Sequence, residues 1–198
     1  GYTGVYDGKA HSITVSGTKD GDTVEYSTDG TTWSTTNPAY TDVTAAEGVK
    51  VLYRVSRANY TTLEGADRYA TVTITKNTFD PDKNPDGAAD VSAKLTDDSF
   101  VYDGNSVDIV TDGGLTVKIG DVTLASTDYV VTGDVKETVK GEYSITIKPS
   151  ESNKNFKTTD NEITLTWKIT PATITGVTAE GYTGVYDGKA HSITVSGT

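Results

Sequence analysis

Residues 163–169 read Ile-Thr-Leu-Thr-Trp-Lys-Ile. No other feature constrains the fold as tightly as this strict alternation. Successive side chains of a strand point to opposite faces, so Ile163, Leu165, Trp167 and Ile169 form one apolar row. Thr164, Thr166 and Lys168 form a polar row on the other side. A helix would scatter the same residues around its circumference and bury threonine and lysine with them. The pattern recurs with Tyr143, Ile145 and Ile147, with Val72 and Ile74, with Ile13 and Val15, and with Val51, Tyr53 and Val55. Tight-turn dipeptides separate these runs: Asp7-Gly8, Asp20-Gly21, Asp29-Gly30, Asp103-Gly104 and Asp112-Gly113-Gly114. Many short strands at such spacing predict an all-β fold. The expected form is two tandem small β-sandwich (Ig-like) domains in an elongated rod, with a β-grasp-like layout as the variant.

A repeat governs how these strands are grouped. Gly1–Thr18, GYTGVYDGKAHSITVSGT, recurs without change as Gly181–Thr198. The core of the motif, VYDG, stands at Val5–Gly8, Val101–Gly104 and Val185–Gly188, unequally spaced. Two related but unequal domains are therefore expected. The first covers 1–76, the second 91–171, and 172–198 starts the next repeat. Between the domains, 77–90 is read as an acidic linker stiffened by Pro81 and Pro85. "ATITGV" (172–177) precedes the last VYDG as a candidate strand, and "VSAKLT" holds the same place in the second domain. The sequence thus predicts that domain 1–76 lacks its first strand while the tail carries one to spare. An unfilled sheet edge exposes unpaired backbone groups. Head-to-tail association of 172–198 with the N-terminal domain of a neighbouring molecule is the expectation that follows. With no signal peptide and no sorting signal, the chain reads as an internal piece of something longer.

Composition removes several classes of function. A net charge of −11 and an acidic pI argue against nucleic acid and against anionic lipid surfaces. No apolar run approaches the ~18–20 residues of a membrane span, so no membrane insertion is expected. The absence of Cys excludes disulfides and thiolate metal sites. The two histidines, His11 and His191, are one position in two copies of the repeat. Each repeat thus offers a single imidazole, and no catalytic residues are assigned; the chain is expected not to be an enzyme.

The stretch VYDGKAHSITVSGTKDGDTVEYSTDGTTWSTTNPAYTDV, followed by VKVLYRVSRANY and ATVTITK, resembles the MBG/YDG-type repeats of bacterial cell-surface proteins, especially those of Firmicutes. The second domain is similar to related surface repeats through Tyr102-Asp103-Gly104, Asp128-Tyr129 and the strand EYSITIK. It departs from them at Lys140-Gly141-Glu142-Tyr143, where the family usually reads Val-Gly-Thr-Tyr. The resemblance implies an extracellular tandem array on a Gram-positive cell surface or cell wall, acting as a stalk or adhesin module whose partners are neighbouring repeats. It carries no catalytic residues over. The alternative is a ligand-binding module, for a host glycan or protein, in a surface adhesin or a secreted carbohydrate-active protein.

Candidate sites are few. Asp80, Asp82, Asn84, Asp86 and Asp90 alternate through the linker with Gly87 behind Asp86, the oxygen-rich spacing that suits Ca²⁺. Ala93 stands where a bidentate Glu would close an EF-hand loop, and a solvated acidic linker is the competing reading. No other cofactor is implied. Trp33, beside the Asp29-Gly30 turn, is the candidate for stacking on a sugar ring, against a role in capping the core. Trp167, in phase with aliphatic residues, is read as core. Lys94 and Asn161 lie near the first and last strands of the second domain, where an isopeptide cross-link would join them; a solvated lysine is the plainer reading. There is no Gln, so a Thr–Gln ester is excluded.

Overall fold

The computed structural model describes residues 1–80, 89–157 and 161–197. The fold is all-β, with no helix among the described residues. The first repeat contributes β1 (Tyr2–Val5), β2 (Thr23–Ser27), β3 (Val49–Ser56) and β4 (Tyr69–Thr75). They form one sheet in the order β1-β4-β3-β2, with β1 parallel to β4 and the other neighbours antiparallel. The second repeat contributes β5 (Val91–Lys94), β6 (Ser99–Val101), β7 (Val107–Asp108), β8 (Thr116–Ile119) and β9 (Val122–Thr123). It continues with β10 (Tyr129–Gly133), β11 (Lys136–Glu137), β12 (Gly141–Pro149) and β13 (Ile163–Thr170). Its main sheet runs β10-β12-β13-β6, again with the outer early strand parallel to the last one. The two sheets therefore share one topology, β1 answering to β6, β4 to β13, β3 to β12 and β2 to β10. Beside the main sheet of the second repeat lies a smaller one, β5-β8-β9, and β7 pairs with β11. Among its described residues the tail holds β14 (Thr178–Glu180) and β15 (Thr194–Ser196), paired with each other.

Alternation fixes which face of each strand is buried. Antiparallel register places Tyr143 opposite Trp167, Ile145 opposite Leu165 and Ile147 opposite Ile163, so apolar residues face one another across β12 and β13. A slip of one residue would turn that row to solvent. Trp167 is core: it packs on Tyr143 and Phe100, and its indole Nε1 donates to the Asp134 carbonyl at 2.9 Å. Val51, Val72 and Ile74 form the matching row under the first sheet.

VYDG is a local turn motif, which explains its recurrence. Gly8, Gly104 and Gly188 all have positive φ, near 76°, 87° and 74°, a conformation that costs glycine nothing. The preceding aspartate accepts a backbone N–H two residues on, from Lys9, Asn105 and Lys189 respectively.

Two strand expectations need correction. Residues 172–177 are not a strand; Gly176 takes φ 79° and β14 starts only at Thr178. "HSITVSG" buries Ile13, yet residues 12–16 join no ladder in the first repeat. The identical residues in the tail do form β15. "VSAKLT" is a strand over its first four residues, as β5.

Candidate functional site: a junction and a groove

The first repeat meets the second around two asparagines and three aromatic rings. Asn77 is wholly buried. Its Nδ2 donates to the carbonyls of Tyr6 (2.8 Å) and Ala89 (3.0 Å), while its Oδ1 accepts from Thr78 N–H. Its backbone N–H donates to the Asn155 carbonyl at 2.9 Å, and its carbonyl accepts from Lys157 N–H at 2.7 Å, a parallel bridge to Phe156. Asn155 reciprocates from the other side. Its Oδ1 accepts from Val43 N–H and its Nδ2 donates to Asp42, both at 2.9 Å. Phe156 packs edge-on against Tyr6 at 5.6 Å and Phe79 at 5.3 Å. Burial, with the charges of Asp128 and Asp42, pushes the Tyr6 hydroxyl up, so it stays a neutral group at this contact. A buried amide is tolerated only when its hydrogen bonds are made, and here both asparagines bond across the boundary.

The acidic segment thus begins inside the core: Asn77 and Phe79 are buried rather than solvated. Of the proposed calcium ligands, Asp82, Asn84 and Asp86 lie outside the described residues. The Asp80 carbonyl accepts from Val91 N–H and the Asp90 carbonyl from Gly120 N–H, so both ends of the segment are tied to the second repeat. Among the described residues, no cluster of three His, Asp or Glu side chains is placed to hold a metal.

On the first repeat, a groove of about 420 Å³ runs between Thr14–Thr18 and the sheet strands β3 and β4. Its floor includes Tyr53, Val55 and Ala70, and its rim carries Tyr60, Leu63 and Tyr69, which are 67%, 46% and 48% exposed. Arg57 lies at one end, its Nε donating to Asp22 at 2.7 Å and its guanidinium resting 5.0 Å from the Tyr60 ring. Three large exposed apolar side chains thus border a concave surface. Sequence reasoning missed the groove because its residues come from four separated segments.

His11 belongs to a small clasp. Its Nε2 lies 2.9 Å from Asp7 Oδ1, and its ring stacks on Tyr2 at 3.8 Å. The same arrangement recurs in the tail, with His191 2.9 Å from Asp187 and stacked on Tyr182 at 3.5 Å. A geometry that survives where no sheet surrounds it is made by local sequence. Burial acts to raise the Asp7 carboxyl, but the bonds from His11 and the Lys9 amide outweigh it and hold the group below the usual range. Trp33 is half-buried, and one face is taken by the Arg54 guanidinium, 4.6 Å from the ring, which also bonds Glu25 at 2.7 Å. Lys94 is exposed on β5, whereas an isopeptide needs a buried lysine. No helix among the described residues is long and apolar enough to cross a membrane. Comparison with family models, with curated proteins and with solved structures finds no match.

Proposed function

We propose that this chain is a spacer segment of a bacterial cell-surface protein, a stalk of tandem repeats that holds another domain away from the cell wall. The observation that carries the reading is the junction. A flexible tether needs no shared core, whereas here Asn77, Asn155, Tyr6, Phe79 and Phe156 are buried between consecutive repeats. Shared burial makes each repeat's orientation depend on its neighbour, which is what a stiff array requires. The recurrence of Gly1–Thr18 at Gly181–Thr198 supports an array in which this unit is followed by another. The acidic surface suits a secreted, soluble array that avoids nucleic acid and anionic lipid.

Small-angle scattering of the native chain and of the Asn155→Ala, Phe156→Ala double variant tests the reading. The native chain is expected to fit a single conformation, and the variant to broaden into an ensemble. A native chain that already requires a broad ensemble of inter-repeat orientations overturns it. The alternative of a glycan- or protein-binding module draws on the exposed Tyr60 and Tyr69 at the groove rather than on Trp33, whose face Arg54 covers.

A further inference from the structure

In each repeat the strand that leads into VYDG lies beside the last strand of the sheet. β1 runs parallel to β4 in the register Tyr2↔Val72 to Val5↔Thr75, and β6 runs parallel to β13 as Lys168↔Ser99, Ile169↔Phe100, Thr170↔Val101. Every other pair in the two main sheets is antiparallel. The bonds that close the parallel pairs match. Tyr6 N–H donates to the Thr75 carbonyl at 2.8 Å, as Tyr102 N–H does to the Thr170 carbonyl at 2.8 Å. The Thr75 hydroxyl donates back to the Gly4 carbonyl at 3.2 Å, and the Thr170 hydroxyl to the Phe100 carbonyl at 2.9 Å. Lys168 N–H adds a bond to the Asp98 carbonyl at 2.9 Å. Ile74 and Ile169 are buried, which keeps water from competing for these bonds on one side.

We propose that these two parallel pairs, each closed by its threonine, are tension clamps, and that each repeat serves to bear a pull applied along the chain. The inference rests on the spacer reading, because only a chain held at both ends is stretched. In a parallel pair the bonds are evenly spaced and the two N-terminal ends lie side by side. A pull draws β1 towards its N-terminal end and β4 towards its C-terminal end. The strands must slide past each other, and all the bonds between them share the load. β6 and β13 are placed in the same way. In an antiparallel hairpin such as β12 and β13, a pull at the open end takes the bonds one at a time. The load passes directly from β1 to β4 and from β6 to β13, so the antiparallel pairs stay behind the clamps. β5 precedes β6 along the chain, and a pull that strips β5 from β8 still arrives at the N-terminal end of β6. The stretch between the clamps is itself tied down. Asn77 bonds to Asn155 and Lys157, the Asp80 carbonyl to Val91 N–H, and the Asp90 carbonyl to Gly120 N–H.

Single-molecule force spectroscopy of the full chain in two directions tests the clamps. The chain has no Cys, and Lys140 and Ala172 are exposed, so Lys140→Cys and Ala172→Cys supply handles that leave the core untouched. Pulling between the amino terminus and position 172 shears both clamps. Pulling between positions 140 and 172 unzips β12 from β13, because Gly141 pairs with Ile169 at the open end. Forced unfolding reads the unfolding barrier rather than equilibrium stability, and opening a repeat in the first direction is expected to need at least about twofold more force than in the second at equal loading rate. Thr75→Val, Thr170→Val keeps the shape, removes the two hydroxyl donors, and is expected to narrow that ratio. Equal forces in the two directions, or a ratio unchanged in the double variant, overturn the proposal. Equal forces in a chain whose scattering fits a single conformation overturn the clamps and leave the spacer reading standing. A clear direction dependence in a chain whose scattering requires a broad ensemble upholds the clamps and removes the stiff junction instead.

Discussion

Asn77 shows how one polar side chain ties two repeats together. Its amide is wholly buried, donates to the carbonyl of Tyr6 in the first repeat and to that of Ala89 just ahead of the second, and accepts from its neighbour Thr78. Removing it leaves the buried Tyr6 carbonyl and the part-buried Ala89 carbonyl without that donor, and each orphaned buried group costs about 1–3 kcal/mol. Asn77→Ala is therefore expected to lower the stability of the native chain by about 2–5 kcal/mol in urea unfolding, within the range of severe single substitutions. Asn77→Asp keeps the shape but replaces the donor with a charge, and is expected to be at least as damaging at neutral pH. A loss below 0.5 kcal/mol for either variant would mean that the amide bonds are replaceable by water. The sequence offers no warning of this role: Asn77 sits in Lys-Asn-Thr-Phe-Asp, a run that composition reads as solvated.

At the scale of elements, the turn leaving β2 is held by one carboxylate. Asp29 accepts from the amides of Thr32 and Thr31, each at 2.7 Å, and from the Ser27 hydroxyl at 2.9 Å. Those donors hold its carboxyl well below the usual carboxylate range. Asp22, bonded by Arg57 and by the Lys19 amide, is lowered as well. A folded-state pKa below the unfolded value of about 3.9 contributes stability above that value and loses it as pH falls through the folded value. The melting temperature is thus expected to be flat from pH 7 to about 5 and to drop below about pH 4. In Asp29→Ala, that acid drop is expected to be smaller, from a lower starting point. Equal acid slopes for the variant and the native chain, measured by thermal melts from pH 7 to 2, would show that the turn does not couple to folding. Asp-Gly at 29–30 announces this element in the sequence, because a turn is closed by residues within reach of one another along the chain.

Across the whole molecule, the decisive contact joins residues far apart in sequence. Phe156 touches Tyr6 and Phe79, so the second repeat completes the core of the first. The chain is expected to unfold in a single calorimetric transition. Phe156→Ala removes a buried ring, at a cost of about 3–5 kcal/mol, and is expected to separate that transition into two, one per repeat. Two resolved transitions in the native chain would refute the shared core. The VYDG turns and the four-strand order recur in both repeats, but the small β5-β8-β9 sheet is found only in the second among the described residues.

What the sequence determined by itself is local. Alternation marks β3, β4, β12 and β13 and their buried faces, since each side chain's direction follows from its own strand. The Asp-Gly turns and the stacked Tyr–Asp–His clasp are likewise written within a few residues, which is why both appear unchanged in the exposed tail. Pairing was not legible in this way. Nothing near Tyr2–Val5 states that it runs parallel to Tyr69–Thr75, and nothing near Asn77 names Asn155. The sharpest case is the repeated segment: Thr14–Ser16 and Thr194–Ser196 are the same residues, one unpaired beside a groove and the other in a ladder. Tyr6 is buried at 6% exposure where its copy Tyr186 is 93% exposed. Identical sequence cannot choose between those states. The choice is made by which strand and which ring lie alongside, because backbone hydrogen bonds and apolar burial are satisfied by neighbours in space.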